Sequence, residues 1–202
     1  MKLYNLKAGA NPRKVRIFLA EKKIDIDFVH IDMEAGENSA PDYIAKNPLG
    51  KMPLLELDDG TFLAESLAIC RYLEHLFPRP PLFGETQREK AEIEMWTLRV
   101  EHEIYRPISD VFFHLSDFWK GKREQIQEYG EQQRRYAFKQ FAWLDNELSN
   151  RKYIAGDKYT IADICAQSAF VLGKFTGTPI PMDCSSLMRW YEGVASRPSA
   201  RA

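Results

Sequence analysis

The sequence has little cysteine: Cys70, Cys165 and Cys184 are an odd set at wide spacings, with no CxxC among them. That excludes a disulfide framework and a thiolate metal site. Each cysteine is expected to be a small buried hydrophobe in a reducing compartment. Long apolar runs are also missing, and no segment approaches the roughly 18 to 20 residues that a membrane span needs. Neither sign of charge dominates: 28 Lys and Arg against 29 Asp and Glu leave a net charge of -1. Nothing therefore favours a nucleic acid or an anionic membrane as partner. The chain runs straight into a strand-like "KLYNL" with no apolar signal region, which sets the expectation of a cytoplasmic protein.

What is present suits a soluble globular chain: 202 residues, 45% hydrophobic and 28% charged, enough for one large domain or two small ones. "KLYNL" (2–6) alternates like a short strand. Residues 11–22 carry Val15, Ile17, Phe18 and Leu19 at helical spacing, with Pro12 near the first turn. "DIDFVHIDM" (25–33) alternates again, giving a βαβ unit with a parallel pair and a right-handed crossover. "APDYIAKN" reads as a short helix. Strands at about 53–57 and 61–63 flank Asp58-Asp59-Gly60, a hairpin turn signal. Glu65-Ser66 opens an amphipathic helix. "PRPPLFGET" (78–86), with three prolines and a glycine, reads as a linker. Everything after it is helical, at 87–118, 124–149, 162–177 and 185–194. The expected organisation is a βαβαββα domain over 1–78, a linker over 79–87 and an all-helical domain over 88–202.

Four short motifs give this order chemical content. Lys51-Met52-Pro53, within "NPLGKMPLLELDDG", places a proline at the mouth of a strand, where one lost ladder donor is tolerated and a cis Met52–Pro53 bond is expected. Glu65-Ser66 stands at a helix start, where ordinary capping or anion binding by the exposed amides both suit it. Thr160 and Asp163, in "AGDKYTIADICA", form a capping box, a folding device to which no catalytic part is assigned. The first turn, Ala8-Gly9-Ala10-Asn11-Pro12, has no Ser, Thr, Tyr or Cys.

Together these residues resemble the cytosolic glutathione transferases, over the whole chain. The stretch "AGANPRKVRIFLAEKK" is similar to the atypical yeast-type and bacterial members that lack the usual Tyr, Ser or Cys. The resemblance implies a thioredoxin-like N-terminal domain with a helical-bundle C-terminal domain. It also implies glutathione as co-substrate, with no metal, and a C2 homodimer. The backbone of Met52 beside Pro53 would pair with the tripeptide like an added strand. Glu65 would meet the γ-glutamyl ammonium and Ser66 its carboxylate. Lys51 and Asn38 would reach the glycine carboxylate.

The missing hydroxyl leaves thiol activation open. One route is the N-terminus of the first helix, with the Asn11 side chain adding a donor. The other lies in "RVEHEIYRPISDVFFHL", where His102, Tyr105, Ser109 and Phe113 are spaced to share one helix face. In the yeast-type group a Ser and a His of this segment position a water for the thiol. Ser109 matches the Ser, and His102 is preferred to His114 for the histidine. Pro107 is expected to bend this helix. Tyr105 and Phe113, with Phe112, Phe118 and Trp119 nearby, are the expected receivers of a small apolar electrophile. Conjugation is the leading reading. Asn11 in place of a hydroxyl leaves glutathione-dependent disulfide reduction as an alternative, and a non-catalytic glutathione-binding module as another. Isomerase chemistry of the Ser-Ser-Cys type is disfavoured, because Gly9-Ala10-Asn11 holds none of those residues.

Overall fold

A computed structural model describes residues 1–202, which form two compact units. The first comprises residues 1–81 with the last two residues of the chain, and the second residues 82–200.

In the first unit, β1 (Lys2–Asn5), α1 (Ala10–Lys22) and β2 (Asp27–His30) form the expected βαβ unit, with β1 and β2 parallel. A short α2 (Pro41–Ile44) leads to β3 (Leu54–Glu56), β4 (Phe62–Ala64) and α3 (Ser66–Leu76). The sheet runs β2-β1-β3-β4, with the last two pairings antiparallel. The hairpin turn forms as its residues demand. Gly60 takes φ +81, and the Asp59 carboxylate accepts from the Thr61 amide at 2.9 Å and hydroxyl at 2.6 Å. Those two bonds lower the Asp59 pKa.

Alternation sorts the faces of the sheet. Leu3 and Leu55, paired in register, are fully buried. Tyr4 and Leu54, one residue along, pack with Tyr43 of α2. The helices α1 and α3 pack together and bury Val15, Ile17, Phe18, Ile69, Cys70 and Leu73 completely. The strand expected over 25–33 is shorter, because its only neighbour, β1, offers a register of just Lys2 to Asn5.

The second unit is a helical bundle of α4 (Gln87–Arg99), α5 (Arg106–Leu115), α6 (Gln127–Glu147), α7 (Ile161–Phe175) and α8 (Ser185–Ala195). Its centre is α7, buried continuously from Ile161 to Phe170. The expected capping box starts it. The Thr160 amide and hydroxyl donate to Asp163 at 2.9 and 3.1 Å. The other carboxylate oxygen accepts from the Ile154 amide at 3.0 Å and the Trp190 indole at 2.8 Å. All three cysteines are free and buried.

The helix expected over 87–118 runs unbroken over 87–115, but it is not a regular α-helix throughout. Between α4 and α5 lies a π-helical segment, Val100–Tyr105. Pro107 has no N–H and its ring clashes with the carbonyl four residues back. A wide turn ahead of it, where a bend was expected, absorbs the misfit within the helix. The insertion also changes the helical register, so the spacing of a regular helix does not carry across it. His102 is exposed, whereas Ser109 is buried, and Tyr105 and Phe113 are half-buried.

Candidate active site

The first turn of α1 is bare for a structural reason. Gly9, its N-cap residue, is extended at φ -73, and a side chain there would meet Pro12 Cδ at 2.9 Å. No side chain caps this helix, and its first turn holds no acid. The orphan amides at its start and the positive end of its dipole are therefore left to solvent or a ligand. Arg16 fixes the turn from below, donating to Asn5 Oδ1 at 2.7 Å, Leu6 O at 3.2 Å and Lys7 O at 2.8 Å. Burial, with Arg13 close by, lowers the pKa of Arg16.

A second segment meets this turn. Tyr43 of α2 donates its hydroxyl to Lys51 O at 2.8 Å, and Asn47 donates its amide to the same oxygen at 2.7 Å. Burial pushes the Tyr43 hydroxyl up to about 12, so it stays a donor at neutral pH. The Met52–Pro53 bond is cis. Strand pairing begins at Leu54, which leaves the backbone of Met52 outside the ladder.

The third segment is the start of α3. Glu65 takes φ +67 and ψ 118, a conformation that costs an L-residue about 1–3 kcal/mol. Its carbonyl nevertheless accepts the Ile69 amide at 2.9 Å and so begins the helix. Neither Glu65 nor Ser66 caps the helix with its side chain, and its first turn has no acid. Ordinary capping, the plainer reading of Glu65-Ser66, is therefore not what these residues do.

One cleft is lined by Asn11, Asn47, Leu49, Lys51, Met52, Pro53, Ala64, Glu65 and Ser66. Six expected residues are thus brought together: Asn11, Lys51, Met52, Pro53, Glu65 and Ser66. Asn38 is not among the lining residues, because its amide donates to Gly50 O at 3.1 Å and braces the loop. Sequence reasoning missed Asn47, Leu49 and Ala64. An Asn-Pro pair opening a turn was the available signal for Asn47. At the cleft, two uncapped helix starts and the Lys51 cation face anionic groups, and the Glu65 carboxylate can meet an ammonium.

Within the helical unit, His114 serves the structure. Its Nδ1 accepts the Ile126 amide at 3.0 Å, and its ring meets Tyr129 edge-on at 5.1 Å. Phe112, Phe113, Phe118 and Trp119 form a contiguous aromatic cluster, with ring centroids 5.0 to 5.9 Å apart.

Two family models match this chain: Glutathione S-transferase, N-terminal domain, over residues 3–81, and Glutathione S-transferase, C-terminal domain, over residues 97–198. The chain belongs to the glutathione S-transferase family, and its enzyme class is transferase. Glutathione S-transferase 2 of Saccharomyces cerevisiae is 37% identical over 206 residues, covering 100% of this chain and 88% of that protein. Glutathione S-transferase GstB of Escherichia coli is 29% identical, covering 98% of this chain and 95% of its own. Among solved structures, Gtt2 from Saccharomyces cerevisiae superposes with a TM-score of 0.94 at 36% identity, covering 100% of this chain and 99% of that one.

Proposed function

We propose that this protein conjugates glutathione to small apolar electrophiles in the cytoplasm, as a homodimer and without a metal. The carrying observation is the single cleft that joins Asn11, Lys51, Met52, Pro53, Glu65 and Ser66. Ser66 and the uncapped amides of α3 hold the γ-glutamyl carboxylate, and Glu65 holds the ammonium. The Met52 backbone pairs with the cysteinyl part. Lys51 supplies the cation for the glycine carboxylate, and Asn38 keeps the loop beneath it in place. The N-terminus of α1 and the Asn11 side chain favour the thiolate over the thiol. In the reaction the sulfur forms a bond to the electrophilic carbon. The leaving group departs with its bonding pair, and the thiol proton passes to solvent.

Ser109 and His102 are proposed to assist through a bound water. The pH–rate profiles of Asn11→Ala, Ser109→Ala and His102→Ala against the parent test both helpers. Loss of a general-base relay should lower kcat about 100-fold and move the thiol's apparent pKa upward. Glutathione affinity should change little. Profiles that overlay the parent's would leave activation to the main-chain amides alone.

Glutathione-dependent disulfide reduction is the second reading, favoured by Asn11 where relatives place a hydroxyl. Faster turnover of 2-hydroxyethyl disulfide than of 1-chloro-2,4-dinitrobenzene would select it, and turnover of neither would select the non-catalytic binding module. The dimer is tested by light scattering at micromolar concentration. A particle of 23.4 kDa, the mass of one chain, would refute it.

A further inference from the structure

The chain passes from β1 to α1 through four residues, Leu6 to Gly9. The Gly9 amide donates to Leu6 O at 3.0 Å, and the Arg13 amide donates to Gly9 O at 3.0 Å. Pro12 has no N–H to give. The donors left for a ligand at this helix start are therefore the successive amides of Ala10 and Asn11. Such a pair can hold an anion, provided that the turn in front of it keeps its shape. The turn has little of its own to enforce that shape, because Lys7 and Ala8 are exposed and no side chain caps α1.

Arg16 enforces it from the second turn of α1. Its Nη1 donates to Asn5 Oδ1 at 2.7 Å and to Leu6 O at 3.2 Å, and its Nη2 donates to Lys7 O at 2.8 Å. One rigid fork thus spans the last residue of β1 and two carbonyls of the turn. Asn5 is a firm anchor for that fork. It is 1% exposed, and its own carbonyl accepts the Ile31 amide at 3.0 Å. In a trans peptide the N–H lies opposite the C=O. With Leu6 O and Lys7 O turned onto the guanidinium, the negative ends of these two peptide dipoles face Arg16 and their amide ends face away from it. A carbonyl released from Arg16 would be free to turn toward a neighbouring anion and oppose it.

We infer that Arg16 is a positioning residue for the thiol chemistry, and that Asn5 holds Arg16 to that task. The fork keeps the Leu6 and Lys7 carbonyls off the sulfur and the Ala10 and Asn11 amides on it, which favours the thiolate of the bound tripeptide. Lysine does not substitute, because its ammonium is a point charge with no planar fork to span three acceptors. The inference rests on the glutathione reading above. Ionisation moves only the thiol proton, to solvent, and no covalent bond of Arg16 or Asn5 changes.

The test reads the thiol of bound glutathione directly, through the ultraviolet absorption of its thiolate across pH, in the full-length chain. Arg16→Lys and Arg16→Met should each raise the apparent thiol pKa by about one unit, or about 10-fold less thiolate at a given pH below it. Asn5→Ala, which loosens Arg16 without removing it, should raise it by about half a unit. Glutathione affinity by calorimetry should stay within about threefold of the parent's, because Lys51, Glu65 and Ser66 are untouched. A role in folding alone would lower Tm and leave the thiol pKa where it was. An unmoved thiol pKa in Arg16→Lys or in Asn5→Ala overturns the proposal, as does a shift matched by an equal loss of glutathione affinity. Circular dichroism checks that each variant is folded, and Asn5→Ala decides alone if the Arg16 variants are not. A parent that binds no glutathione overturns the glutathione reading and this inference with it, whereas binding with an unmoved thiol overturns this inference only.

Discussion

Asp163→Ala should be the most damaging single substitution in the helical unit, costing about 4 kcal/mol and lowering Tm by about 10 °C. The carboxylate is fully buried at the start of α7 and serves four donors: the Ile154 amide, the Thr160 amide and hydroxyl, and the Trp190 indole. One side chain thereby ties α7 to α8 and to the loop at Ile154. Alanine fills none of these roles. Each stranded donor costs about 1–3 kcal/mol, and the losses overlap because the donors share one acceptor group. Thermal unfolding followed by circular dichroism reads the effect, and a Tm within about 2 °C of the parent's would show that the network holds nothing.

The same residue has a pH signature with an unusual sign. Burial raises the pKa of the Asp163 carboxyl, against the pull of its hydrogen bonds. A raised acid pKa means that the folded state binds the proton more readily than the unfolded chain does. Its titration therefore favours folding most below the unfolded value of about 3.9, and that contribution fades as pH rises through the folded value. The Tm gap between parent and Asp163→Ala should accordingly be wider near pH 4 than at neutral pH. A gap that widens toward neutral pH would mean that the hydrogen bonds outweigh burial.

How much of this was legible in the sequence depends on how local each determinant is. The hairpin at Asp58-Asp59-Gly60 and the box at Thr160 and Asp163 are settled by side chains reaching two or three residues away, so their sequences read directly. The extent of β2 depends on a neighbour: β1 runs out at Asn5, whose carbonyl accepts the Ile31 amide at 3.0 Å, and the ladder ends there. The π-helical turn before Pro107 is less legible still. A proline announces a misfit, but whether the chain stops, bends or inserts a residue is settled by packing around Ile104 and Ile108, both fully buried. That insertion is why the spacing of His102 and Ser109, read on a regular helix, does not by itself set how the two face. At the cleft, residue types named the site, whereas the job of Asn38 depends on where Gly50 places its carbonyl. Nor does any propensity announce that Glu65 adopts a positive φ.

Glu65 gives the other large effect, because it combines a functional carboxylate with a costly backbone. Glu65→Ala removes the carboxylate and keeps the Cβ at φ +67. If the residue holds the γ-glutamyl ammonium, glutathione affinity should fall about 10- to 100-fold, the range for a lost charge-assisted hydrogen bond. Its Tm should stay near the parent's. Glu65→Gly should lose the same affinity, yet it releases the backbone. Relief of about 1–3 kcal/mol of strain, less the roughly 0.5–1 kcal/mol that glycine forfeits in chain entropy, leaves a gain of about 1 kcal/mol. That corresponds to a Tm about 2–4 °C above Glu65→Ala. Calorimetric titration with glutathione and thermal melts of both variants separate the two contributions. Parental affinity in either variant would remove Glu65 from the ammonium site. A glycine variant less stable than the alanine one would show that the fold, by other contacts, already accommodates this backbone without cost.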